Sequence, residues 1–134
     1  MQLPCSSQVQ RSVAPFTVWN FAKLAEEGFY DGIRFHRVVP DFVIQAGCPR
    51  GDGWGGPGYS IPDELSWAHY GEGAVGMAIS GPDSGGSQWF ITLAPQPHLD
   101  GGYTLFGQLD IGKGTAQAIE PGAKILDVVI ERVP

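Results

Sequence analysis

This sequence has little charge, few cysteines and no long apolar run, and each shortage removes a class of function. Charged residues make up 16% of its 134 positions, with 8 Lys and Arg against 14 Asp and Glu, for a net charge of -6. No basic cluster occurs, so the phosphate neutralisation on which nucleic-acid affinity rests has no footing. The two cysteines, Cys5 and Cys48, lie far apart and belong to no CxxC or mixed Cys/His spacing. They read as free thiols of a reducing compartment. His36, His69 and His98 stand singly, without HxxH or HExxH spacing, so no zinc site is expected. No run reaches the ~18 apolar residues of a membrane span, and Met1–Gln10 lacks the basic and apolar regions of a secretion signal. The expectation is a cytoplasmic, monomeric protein that engages neither nucleic acid nor membrane.

What the chain does have is apolar residues and turn residues. Hydrophobic residues reach 43%, and Gly 20 and Pro 11 are spaced between apolar runs. That pattern predicts one domain of short strands joined by many turns. Residues 1–14 are polar and unpatterned, with at most a weak strand over Gln8–Val13, so the folded domain is expected over 15–134. A helix is predicted from Thr17, as N-cap, to Glu27, with Val18, Phe21, Ala22 and Ala25 on one stripe and Gly28 as the stop. Arg34–Val39 and Phe42–Ala46 read as a hairpin turning at Pro40-Asp41. Further strands are predicted at Ala74–Ile79, Trp89–Leu93, Thr104–Leu109 and Ile125–Arg132, with a short helix near Thr115–Ile119. Many short strands with two helices point to a closed or nearly closed antiparallel barrel.

Two motif matches are decoys. Gly51-Asp52-Gly53-Trp54-Gly55-Gly56 satisfies GxGxxG, but a dinucleotide site needs a helix to follow, and Pro57-Gly58 follows instead. Asp83-Ser84-Gly85-Gly86 looks like a serine nucleophile segment, yet no histidine stands in a matching setting, and a turn accounts for it. The informative stretch is Phe35-His36-Arg37-Val38-Val39-Pro40-Asp41-Phe42-Val43-Ile44-Gln45. An arginine inside an apolar strand pair needs a partner or a task. From the pattern alone Arg37 snorkels outward, pairs with a carboxylate, or serves a site that Val43 and Gln45 share by strand alternation.

The stretch resembles the cyclophilin family of peptidyl-prolyl cis/trans isomerases, and the resemblance runs from about Pro15 to Arg132. Its pieces follow in family order: Asn20-Phe21, Gly28-Phe29-Tyr30-Asp31-Gly32, Phe35-His36-Arg37-Val38, Gln45-Ala46-Gly47 and Gly55-Gly56-Pro57-Gly58-Tyr59. Pro62-Asp63-Glu64, Gly76-Met77-Ala78, Gly85-Gly86-Ser87-Gln88-Trp89-Phe90-Ile91-Thr92 and Leu99-Asp100-Gly101-Gly102-Tyr103-Thr104-Leu105-Phe106-Gly107 complete it. The resemblance implies a mainly β fold, an antiparallel barrel capped by two helices, with a prolyl-peptide groove on its outer face. It implies isomerase activity on proline-containing peptides and unfolded or partly folded proteins, without cofactor or metal. It makes Arg37, Phe42 and Gln45 the catalytic set. His36, Val43, Ala78, Ile79, Ser80, Gln88, Phe90, His98, Leu99 and Tyr103 become substrate-binding residues. A non-catalytic prolyl-peptide module using the same groove is the alternative.

The chain departs from the family pattern at three groove positions and at its N-terminus. The family often has Trp at His98, Asn at Ile79 and His at Tyr103. Histidine offers cyclosporin less apolar area than an indole, so only weak cyclosporin binding is expected. A typical member also carries two full strands before its first helix. Here the first is expected to be absent and the second degraded, leaving Ile125–Arg132 as an unpaired edge.

Overall fold

The computed structural model describes residues 6–10 and 12–131. In chain order these form β1 (Ser6–Val9), α1 (Pro15–Glu26), β2 (Arg37–Val39), β3 (Val43–Ala46), β4 (Ala74–Met77), β5 (Trp89–Thr92), a 3-10 turn at Pro97–Leu99, β6 (Leu105–Ile111) and α2 (Lys113–Ala118). The strands make one six-stranded antiparallel sheet in the order β1-β6-β4-β5-β3-β2, open between its two edges. The β2–β3 hairpin turns as the sequence predicts. Pro40 supplies the first turn dihedral, Asp41 sits at φ 62 and the Phe42 N–H donates to the Val39 carbonyl at 3.1 Å.

Period-two alternation gives this sheet two apolar faces. Ile44, Ala46, Val75, Met77, Trp89, Ile91 and Phe106 point to one face, where Val18, Leu24 and Ala25 of α1 join them in the main core. Phe21 seals the contact with its ring 6.4 Å from Trp89 and 5.5 Å from Phe106. The alternate residues Val43, Ala74, Phe90 and Leu105 point to the other face and form a second cluster with Tyr70 and Leu99. At about 25 cal/mol per Å² of apolar surface buried, both faces stabilise the fold, but only the second is left incompletely covered.

The helix α1 is capped from a distance. Thr17, predicted as N-cap, lies inside the helix and is fully buried, and the N-cap position is Ala14, which has no side-chain cap of its own. The cap is Glu64. Its carboxylate accepts the N–H groups of Phe16 at 3.2 Å and Thr17 at 2.6 Å, and the Thr17 hydroxyl at 2.7 Å. A carboxylate here meets both the unsatisfied donors and the positive end of the helix dipole. The buried face is also less apolar than the sequence stripe suggests, because Asn20 lies in it and donates to the Gly86 carbonyl at 2.8 Å. At the other end, Gly28 takes φ 77, and the N–H groups of Gly28 and Phe29 reach back to the carbonyls of Ala25 and Leu24.

The two chain ends differ from expectation. The weak strand predicted over Gln8–Val13 forms earlier, as β1, and pairs with β6. The strand predicted at Ile125–Arg132 does not form over 125–131; Cys5 and Arg132 lie outside the described residues. Alternation of Leu126, Val128 and Ile130 suggested the strand, but Leu126 is exposed while Val128 and Ile130 lean on the main core without ladder partners among the described residues. Only the segment before it is held: Ile125 exchanges hydrogen bonds with Gly32 and Ile33, and Phe35 bonds to Gly122 and Ala123. Over 125–131 the expected unpaired edge is therefore not a strand.

The distal cap makes a testable claim. Glu64→Ala should lower unfolding stability by about 1–2 kcal/mol, the size of a lost helix cap, as read by urea denaturation. Unchanged stability would mean that the three bonds to Glu64 do not hold α1.

Candidate active site

Strand register builds the site. Arg37 stands opposite Gln45, Gln45 opposite Phe90, Phe90 opposite Gly76 and Gly76 opposite Leu105. Residues paired this way share a face, so the five form one row roughly 19 Å long across five strands. The row runs from a guanidinium, through an amide, to an apolar wall. Val43, two residues before Gln45 on β3, widens that wall.

The outer face opens into a cavity of about 430 Å³. It gathers Arg37, Phe42, Val43, Gln45, Phe90 and Leu99, together with His36, Tyr103 and the segment Ala78, Ile79 and Ser80. Phe90 forms its floor, with the Tyr103 ring edge-on at 6.0 Å and 88°. Arg37 is exposed, with its guanidinium 5.5 Å from the Phe42 ring centroid. The carboxylate partner that strand alternation left open for Arg37 is not there among the described residues. Two predicted residues stand outside this cavity. His98 is exposed on the rim and packs its ring on Phe42, 5.7 Å away. Gln88 lines an adjoining cavity of about 300 Å³ that shares Gln45 and Ala78 to Ser80.

Gln88 ties the glycine loop to the row. Its amide nitrogen donates to the carbonyls of Gly53 at 2.8 Å and Gly55 at 2.9 Å, and its oxygen accepts from Gln45 at 3.1 Å. The loop itself is pinned at Gly47, whose φ is 96. A side chain there would collide with the Ser87 carbonyl and the Gln88 backbone. Among the described residues, the backbone N–H and carbonyl of Ile79 have no hydrogen-bond partner, so the segment after β4 is an open edge. The sequence reading missed Asp52, Gly53 and Trp54, which line the larger cavity. It treated their loop as plain turn chemistry, and only the unusual Trp54 between glycines signalled otherwise. The serine segment is a turn as expected: the Ser84 hydroxyl accepts from the N–H groups of Ser80 and Gly81 and donates to the Gly81 carbonyl.

His36 sits between two charges. Burial holds its ring below the ordinary imidazole range, the Arg37 charge lowers it further and Asp52 partly opposes both. Its Nδ1 is buried without a partner. A folded-state pKa below the unfolded one means that the unfolded chain binds the proton more tightly. The His36 contribution is therefore complete above about pH 6.5 and declines as pH falls below it. NMR titration of the His36 ring should give a midpoint below about 6.5; a midpoint at or above that value would contradict this account.

Comparison with known proteins agrees with the geometry. The family described as "Cyclophilin type peptidyl-prolyl cis-trans isomerase/CLD" matches residues 6–133. A "Peptidyl-prolyl cis-trans isomerase B" of Bacillus subtilis is 52% identical over 120 residues, covering 88% of this chain and 84% of that protein. A "Peptidyl-prolyl cis-trans isomerase" of Synechococcus elongatus is 50% identical over 119 residues, covering 87% and 82%. The crystal structure of a Cryptosporidium parvum cyclophilin type isomerase superposes with a TM-score of 0.87 at 32% identity, over 97% of this chain and 92% of that one. A second structure of it, in the presence of the dipeptide Ala-Pro, gives 0.85 at 30% identity, over 96% and 93%. With its open sheet, two helices and arginine-to-phenylalanine row, the chain belongs to the cyclophilin-type peptidyl-prolyl cis-trans isomerases.

Proposed function

We propose that this chain accelerates cis/trans rotation of X-Pro bonds in peptides and folding proteins. Arg37, Phe42 and Gln45 carry the catalysis, and Val43, Phe90 and Leu99 hold the proline ring. The observation that supports this most is the row itself: an exposed guanidinium without a carboxylate partner among the described residues, set in one cavity with the apolar side chains of Phe42, Val43, Phe90 and Leu99. Rotation crosses a barrier of about 18–20 kcal/mol, because amide resonance must be broken. Left alone it takes tens to hundreds of seconds. No bond forms or breaks.

In the twisted transition state the prolyl nitrogen becomes pyramidal and gains a lone pair. Arg37, always charged and rigidly forked, donates to that nitrogen, which offers nothing in the planar ground state. The pocket fixes the ring while Gln45, held by Gln88, and the open backbone edge at Ile79 grip the peptide on the other side of the bond. Motion is thereby reduced to one rotation. Ala78, Ser80, His36 and Tyr103 complete the peptide contacts in this reading. The same proposal includes a monomer, in the cytoplasm, where the buried Cys48 stays a free thiol.

The test is a prolyl-peptide isomerisation assay without metal or nucleotide. The wild-type chain should accelerate exchange, and Arg37→Ala should lower kcat/KM by about 10²–10³, the cost of losing one preorganised donor. Its melting temperature should barely move, because Arg37 is exposed. Folded wild-type protein that binds the peptide without accelerating exchange would assign the groove to a non-catalytic module.

Cyclosporin inhibition offers a second test. His98 covers Phe42 from the rim but lacks the area and the permanent N–H of an indole. His98→Trp should tighten cyclosporin inhibition severalfold, at about 25 cal/mol per Å² of added apolar contact, with little change in isomerase activity. Equal inhibition of both proteins would remove His98 as the determinant.

A further inference from the structure

One large buried side chain beneath the pocket is left without a role by the reading above. Tyr70 lies outside every strand and is 2% exposed. Its ring stacks on Phe90, with centroids 5.6 Å apart and planes at 26°. Its hydroxyl donates to the Tyr103 carbonyl at 3.0 Å. Its backbone N–H donates to the Asp100 carboxylate at 2.7 Å, one residue past Leu99, and its carbonyl accepts from the Gln96 N–H at 2.8 Å. From this one residue, restraints therefore reach Phe90 and Tyr103, two walls of the cavity, and Asp100 beside Leu99, a third.

Gly76 makes room for that ring. It sits in a strand interior at an ordinary dihedral, where glycine weakens the sheet and usually marks a close approach. A Cβ at Gly76 would overlap both the Tyr70 hydroxyl and the edge of the Phe90 ring. Gly76 is also the register partner of Phe90. The residue missing its side chain is thus the one beside the pocket floor, and the tyrosine takes the space.

We propose that Tyr70 is a positioning residue of the proline pocket, fixing the Phe90 ring and its spacing from Tyr103, with Gly76 as the gap that admits it. A residue that merely filled the core would not stack on the Phe90 floor while sending its hydroxyl to the Tyr103 wall. Burial, and after it the neighbouring Asp100 and Tyr103, push the phenol well above its ordinary range, so the hydroxyl stays a donor at any pH of interest. The catalytic consequence rests on the isomerase reading; the structural consequence does not.

The experiment compares Tyr70→Leu, Tyr70→Phe, Gly76→Ala and the double variant Gly76→Ala with Tyr70→Phe. The readouts are kcat and KM on a prolyl peptide, peptide binding, and the aromatic NMR resonances of Phe90. Tyr70→Leu should shift the Phe90 resonances, raise KM and lower kcat/KM by about two- to tenfold, the range set by one lost ring pair. Tyr70→Phe, which keeps the stack, should lose less. Gly76→Ala should move Phe90 as well, and adding Tyr70→Phe should recover part of the loss by removing the hydroxyl from the contact. Unchanged Phe90 resonances and KM in folded Tyr70→Leu would overturn the proposal. So would an equal loss from Gly76→Ala with and without Tyr70→Phe, a comparison that still decides the matter if Tyr70→Leu does not fold. An inactive wild-type chain would sink the isomerase reading alone, since the binding and NMR readouts would still judge Tyr70.

Discussion

The register between β3 and β5 is the constraint on which the rest of this structure depends. It pairs Gln45 with Phe90 and Ile44 with Ile91, and so decides which residues fill the main core and which face the cavity. A slip of one residue would exchange the two sets and destroy both. The neighbouring pairs extend the same row, placing Arg37 at one end and Gly76 and Leu105 at the other. Residues far apart in sequence meet because sheet geometry fixes their spacing, with α1 burying the opposite face. The helix need not touch the cavity to support it. By covering the main core it holds the strands whose alternate residues make the site.

The proposed role of Arg37 depends on its having no carboxylate partner among the described residues. A guanidinium locked to a carboxylate would have its donors occupied, and a solvent-covered one interacts weakly at high dielectric. Arg37 rests over the Phe42 ring, a contact of about 0.5–1 kcal/mol at an exposed site, which orients it without consuming its forked donors. A peptide lying over the row would exclude water from the guanidinium and strengthen its hydrogen bond at the moment of twisting. Gln88 plays a quieter part, binding the loop carbonyls with one end and Gln45 with the other.

Much of this was legible in the sequence because it depends on local period and on turn chemistry. The α1 stripe, the Pro40-Asp41 hairpin and the alternating strands follow from residue spacing. Which residues the cavity gathers followed from the family resemblance, since they meet only because their strands are neighbours. Long-range chemistry was not legible. Glu64 caps a helix 47 residues away, so Thr17 beside Pro15 imitated the cap. Leu126, Val128 and Ile130 carry strand periodicity, but no strand among the described residues pairs with them, and alternation alone does not make a ladder. Tyr70 showed no pattern at all, because its meaning lies in what Gly76 omits. The glycine loop concealed Asp52 and Trp54 for the same reason: a loop has no period to read.

The measurement that tests the central claim most directly is the crystal structure of this protein with a bound prolyl peptide. The account predicts the proline ring against Phe42, Phe90 and Leu99, with an Arg37 nitrogen within hydrogen-bonding reach of the prolyl nitrogen and the peptide backbone along Ile79. A proline seated instead in the adjoining cavity between Ser84 and Gly86, with Arg37 turned to solvent, would contradict it.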